Sequence, residues 1–343
     1  MSKMTKHEAG SNEEVDFNLM QENIRGTLRE VLTAKNLPLY DMISYHFGIL
    51  GGEPEGPLPT MKHGILSQLI LMLVGNGNRQ LVSLASALEL LNGFLEVHDD
   101  VQSGNPSRQG RDALWWVWGP AQAINAGDGM NSLARMMVVG LGEEGVSADL
   151  IYNALHIIDR SLVETVEGRF HDLEMQEKIE VPENEYLGMA EKKRGALVGA
   201  SLALGALFSG LDCEIQPKLI ECGRNIGIAS QIYDDVNEIL MDRDDGNVEF
   251  LNKKKLFPLV LAMSKAGPSE KRKLGEVYFK RVLLEEDLAV VRGIIRDLDV
   301  MESCREKLDI HRQKALTHLA GLPGDSKVIE RFLSDEFYGA FDL

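Results

Sequence analysis

The sequence predicts an all-α protein built as one large helical bundle, and three observations carry that expectation. Apolar residues return every three or four positions in one segment after another. Alternating apolar and polar runs, the mark of half-buried strands, are scarce. No short sequence period recurs, which disfavours a stack of repeats. At 343 residues the chain exceeds the usual single-domain size, yet its 44% apolar content can fill one extended core. The helical domain is expected over 16–343, behind a polar tail (1–15) with too little apolar surface to fold and therefore expected to be disordered.

Taken in order, the helical patterns run over 19–32, 65–74, 80–97, 149–170, 185–209, 216–239 and 284–297. The greasiest stretch, ILSQLILMLV at 65–74, is too short to span a bilayer, so no membrane span is expected. GGEPEGPLP (51–59), GNGN (75–78), SGNP (103–106), GLGEEG (140–145) and DRDDGN (242–247) supply the glycine, proline and asparagine that interrupt helices. About ten to thirteen helices follow, and in such bundles ligand sites lie between facing helices.

Charge narrows the function. Lys plus Arg number 36 against 53 Asp plus Glu, a net −17, which disfavours nucleic acid or an anionic membrane as a partner. An anionic ligand would need local basic residues or metal ions. The three cysteines, Cys213, Cys222 and Cys304, are odd in number and lack metal-ligand spacing, as expected of a reducing cytoplasm. The first 17 residues lack the apolar core of a signal peptide. Neither GxxxxGK[ST] nor GxGxxG follows a strand, so nucleotide binding is not indicated.

Two acidic clusters stand out. His98-Asp99-Asp100 closes LELLNGFLEV, and Asp234-Asp235-Val-Asn-Glu238 closes NIGIASQIY. Carboxylates are rarely buried without partners, and two such clusters at the ends of apolar helices suggest a site that gathers Mg²⁺ and a phosphorylated substrate. Asp234 and Glu238, four apart, share a helix face, with Asp235 beside them.

LELLNGFLEVHDDVQSGNPSRQGRDALWWVWGPAQAINAGDGM (88–130) resembles the first aspartate-rich region of the polyprenyl synthetase family, the trans-isoprenyl diphosphate synthases. GIASQIYDDVNEI with KKKLFPLVLA resembles the second region, and EYLGMAEKKRGALVGASLALGALFSG the lysine-bearing helix between them. The resemblance covers about 40–320 and implies the isoprenoid synthase (class I terpenoid synthase) bundle, a central cavity and a homodimer. It further implies that an allylic prenyl diphosphate binds through three Mg²⁺ ions. Asp99 and Asp100 would hold two of them and Asp234 the third, with Asp235 and Glu238 close by; Asp99, Asp100, Asp234 and Lys193 would carry catalysis. Arg108, Lys193 and Lys254 would grip the diphosphate. Phe94 and Leu95, one turn before Asp99, would form the pocket floor and suit a C15 to C20 chain. Trp115, Trp116 and Trp118 read as helix packing.

The chain also departs from the family pattern. Ser103 replaces the last Asp of the first motif, Gln109 the second of paired arginines, Arg169 a Gln and Arg194 a Thr, and the upstream Lys-Arg segment is reduced to Lys62 and His63. A neutral Gln cannot reproduce the bidentate grip of Arg on a phosphate. Losing two cations from the isopentenyl diphosphate pocket leads to an expectation of ionisation without elongation: a class I terpene synthase that cyclises its cation, loses a proton or captures water. A second reading is a trans-prenyltransferase of the geranylgeranyl or farnesyl diphosphate synthase type, with Lys62, His63 and Arg169 restoring the positive charge. A third is a weakly catalytic partner subunit of such a synthase.

Overall fold

A computed structural model describes residues 15–50, 57–73, 80–241, 247–322 and 326–339; the expected tail, apart from Val15, lies outside them. The chain runs through α1 (Phe17–Thr33), α2 (Pro38–His46), α3 (Lys62–Leu73) and α4 (Gln80–Ser103). A short hairpin, β1 (Ser107–Arg108) and β2 (Arg111–Asp112), leads into α5 (Leu114–Trp118), α6 (Pro120–Gly140) and α7 (Ala148–Gln176). Then α8 (Glu183–Ala190), a π-helical turn (Glu191–Gly195) and α9 (Ala196–Ser209) form one continuous rod. After α10 (Ile215–Leu240) come α11 (Val248–Leu251), α12 (Phe257–Lys265), α13 (Pro268–Tyr278), α14 (Glu285–Asp297), α15 (Val300–Leu319) and α16 (Lys327–Leu333), with a second π turn at Ser334–Tyr338. The all-α expectation holds, with more and shorter helices at the C-terminal end than the patterns indicated.

At the centre is α9. Its sequence, ALVGASLALGALFS, is apolar all round, the composition of a helix with no solvent face. It is enclosed by α3, α7 and α10, while α4 lies between α3 and α6. Glycine sets the closest crossing: a Cβ on Gly223 of α10 would lie 2.1 Å from the Gly199 nitrogen of α9. By composition alone α4 could cross a membrane, but two-thirds of its most apolar window is buried in the bundle, where it serves as a core helix.

Candidate active site

Asn92, Leu95, Glu96 and Asp99 of α4 are spaced so that they share one stripe, and all line a central cavity. The pocket-floor expectation divides here. Consecutive helical residues diverge by about 100°, so Phe94 and Leu95 cannot share a face. Leu95 lines the cavity, whereas the Phe94 ring turns edge-on to His98, centroids 4.7 Å apart, beside Gly127 of α6.

Arg108 closes the first acidic cluster. Its Nε lies 3.0 Å from both Asp100 oxygens and its NH2 2.7 Å from Oδ1, a bidentate grip on a buried carboxylate. The same guanidinium lies 3.7 Å from Asp99 and 3.8 Å from Glu96. The hairpin aims it there through a two-residue turn, Gln109–Gly110, in which both φ values are positive (52° and 74°), as a primed hairpin turn requires. Gln109 therefore sits in the turn rather than on the cavity wall, and Arg111 spends its guanidinium on the carbonyls of Tyr45 and His46 at 3.0 and 2.8 Å. Burial alone would raise Asp99; Lys193, Lys254, Arg169 and Arg108 override it and hold the carboxyl far below the usual range. Glu96 is likewise held low, burial being overcome by Arg108 and His46.

The basic residues expected from the sequence converge on an acid that the sequence did not single out. Lys193 donates to Asp172 at 2.6 Å, and Lys254 lies 3.8 Å from the same carboxylate while pairing with Glu249. Asp172 is held low against burial by these two lysines. Gly168 allows the approach: a Cβ there would lie 2.4 Å from the Lys193 backbone nitrogen. Lys193 belongs to the π turn, a local widening frequent at functional sites, which lets it and its neighbour Arg194 both line the cavity.

The second acidic cluster is arranged differently. Asp235 is buried and accepts from Tyr186 Oη at 2.5 Å, Gln231 Nε2 at 2.7 Å and the Phe257 backbone N–H at 2.7 Å, the last at the start of α12. Burial pushes its carboxyl up to about 7 against those three donors. Glu238 accepts from the N–H groups of Glu249 and Phe250 at 3.0 and 3.2 Å, capping α11. Only Asp234 faces outward, and Arg194 pairs with it at 2.7 Å.

Lys62, His63 and Arg169 all reach the cavity. Burial and Lys62 lower His63 to about 3, so it is neutral near pH 7 and adds no charge. Lys62 Nζ lies 5.0 Å over the Phe337 ring. Arg169 donates to the Leu95 carbonyl at 2.5 Å, and its Nε is buried with no hydrogen-bond partner. The tryptophans stay outside this cavity: Trp115 donates to the Asn105 carbonyl, Trp118 packs edge-on to Tyr45 and Trp116 is exposed.

Mg²⁺ takes oxygen ligands and keeps several waters or substrate phosphates. Asp99, ionised and on the cavity wall, fits such an ion. Among the described residues, no three His, Cys, Asp or Glu side chains form a ready cage. At the second cluster the fit is limited to Asp234, since Asp235 and Glu238 are committed to helix starts.

The polyprenyl synthetase family model matches residues 63–295, and the chain belongs to that family. The chain is 26% identical over 321 residues to a geranylgeranyl diphosphate synthase of Saccharolobus solfataricus, covering 92% of this chain and 94% of the relative. It is 27% identical over 301 residues to a geranylfarnesyl diphosphate synthase of Aeropyrum pernix, covering 85% and 91%. Its fold matches that of a geranylgeranyl pyrophosphate synthase from Corynebacterium glutamicum, complexed with isoprenyl diphosphate and magnesium, with a TM-score of 0.78 at 19% identity over 93% and 98% of the two chains. These relatives overturn the terpene synthase expectation. That expectation gave weight to the missing motif cations, whereas Lys62 of α3, Arg169 of α7 and Arg194 of the π turn line the cavity, as the transferase alternative expected of Lys62 and Arg169.

Proposed function

We propose that this chain is a Mg²⁺-dependent trans-prenyltransferase that joins an allylic prenyl diphosphate to isopentenyl diphosphate, giving a C15 to C20 product. The observation that carries the reading is the meeting of Asp99 and Lys193 with Lys62 and Arg169 in one cavity. Neither Lys62 nor Arg169 is paired with a carboxylate among the described residues, so both can meet a second diphosphate. Mg²⁺ held at Asp99, and at Asp234 when that carboxylate is released, would stabilise charge on the departing diphosphate. Lys193 and Lys254, fixed by Asp172, orient that group. Arg108 keeps Glu96 ionised beside it and grips Asp100, whose carboxyl burial pushes up. The allylic C–O bond breaks with its electron pair leaving on diphosphate; the isopentenyl double bond then attacks the allylic carbon, and a proton is lost to re-form an alkene. Leu95 and Leu197 bound the apolar part of the cavity that receives the chain.

We further propose a cytoplasmic homodimer. A stripe of exposed apolar residues on α7 (Val163, Val166, Phe170), with Met136 and Val139 on α6, supports the pairing. The activity is tested by incubating the protein with Mg²⁺ and C10, C15 or C20 allylic diphosphates, with and without isopentenyl diphosphate. A longer prenyl diphosphate, formed only when both are present, is the expected product. A hydrocarbon or alcohol released from the allylic diphosphate alone would refute the reading.

A further inference from the structure

A second concavity lies where the end of α7, the loop after α11 and the end of α13 meet. Four cationic side chains line it, Lys178, Lys253, Lys255 and Arg281, against one carboxylate, Glu177. Such a local excess of positive charge runs against the net −17 of the chain. Two of the four are already engaged: Lys178 pairs with Glu185, and Lys253 donates to the Tyr278 and Lys280 carbonyls at the end of α13. Lys255 is half-buried, its Nζ 4.3 Å from the centre of the Tyr278 ring, and neither it nor exposed Arg281 has an ion-pair partner among the described residues. Burial and Lys253 lower the Lys255 ammonium to about 8 despite Glu177. Lys254, between them in sequence, turns instead to Asp172 at 3.8 Å, so alternate residues of one short loop face the groove and the active site. Past Lys255 and Tyr278 the groove continues onto an apolar floor of Ile179, Leu259, Met263 and Leu274. Gly275 leaves it open, since a Cβ there would meet only the Phe279 ring, at 3.8 Å. A cationic edge beside an apolar floor fits an anion borne on an apolar chain, with Lys supplying a point charge and Arg a planar fork for phosphate oxygens.

We propose that this groove is a second binding site, for an amphiphilic phosphate: Lys255 and Arg281 take the phosphate, and Ile179, Leu259 and Met263 take a single apolar chain. None of these side chains lines the central cavity, so the site is separate from the one that carries the proposed reaction and stands or falls without it.

The test is site-resolved amine labelling of the full chain, with modification of Lys255 followed by peptide mass spectrometry while octyl phosphate is titrated in excess EDTA. An anion beside Lys255 favours its protonated form, so labelling at a pH near 8 should slow saturably as octyl phosphate is added. Octanol and inorganic phosphate, each carrying half of the recognised chemistry, should protect far less at the same concentration. Arg281→Gln, a change at an exposed position, should weaken protection about tenfold, the loss of one charged hydrogen bond. Gly275→Leu fills the groove from α13 with a better helix former and should weaken it at least as much, with an unchanged melting curve showing that the fold is intact. Protection by octanol or inorganic phosphate equal to that by octyl phosphate would overturn the proposal. So would calorimetric binding of octyl phosphate that leaves Lys255 labelling unchanged, since the ligand would then occupy the central cavity instead.

Discussion

The two acidic clusters look alike in sequence and work differently in the fold. At the end of α4, Asp99 and Glu96 face the cavity and are kept ionised by surrounding cations. At the end of α10, Asp235 and Glu238 turn inward and receive the backbone N–H groups that begin α12 and α11. One cluster faces the cavity; in the other, two of three carboxylates hold the architecture together and only Asp234, paired with cavity-lining Arg194, stays out of that role. A carboxylate motif thus mixes chemistry with helix capping, and only the partners of each oxygen separate the two.

Substitution tests that division. Asp99→Ala should reduce prenyl transfer by at least about a hundredfold, roughly 3 kcal/mol of transition-state stabilisation, with the thermal midpoint little changed. Steady-state rates and a melting curve measure both halves. Asp235→Ala should do the reverse: it strands the Tyr186 hydroxyl and the Phe257 N–H in the core and should cost about 3 kcal/mol in urea unfolding. A variant that keeps full stability while losing turnover would place Asp235 with Asp99 and erase the contrast. The subtlest effect concerns the cavity floor. Leu95→Ala should shift the product toward longer chains, whereas Phe94→Ala, one position away but facing α6, should leave the product distribution as in wild type; extraction and chromatography of the products decides it.

The helices α1, α4, α7, α9 and α10 are legible because their apolar spacing is regular, whereas α15, with a mostly polar sequence, is not. α6 was harder to read: its glycines and asparagine weaken the helical signal, and it is held by a face of Ala123, Ala126, Gly127, Met130 and Ala134, most of them small, which packs against α4. Asp99, Lys193 and Lys254 could be placed from local motifs. Asp172 could not, since its role exists only where α7 meets the π turn. The misjudged function has the same origin. Lys62 and Arg169 can be named from the sequence as compensating cations, but whether they meet in one cavity is decided by helix packing.

The π turn at 191–195 also acts as a phase shifter in the rod formed by α8 and α9. Converting the turn to ordinary α-helix with all five residues kept would rotate α8 by about 100° relative to α9. Tyr186 would swing away from Asp235, and the contact that joins α8 to α10 and to the start of α12 would be lost. The one extra residue absorbed in these five therefore aims Lys193 and Arg194 together without altering the facing of α8, which a deletion restoring plain α-helix would leave nearly unchanged.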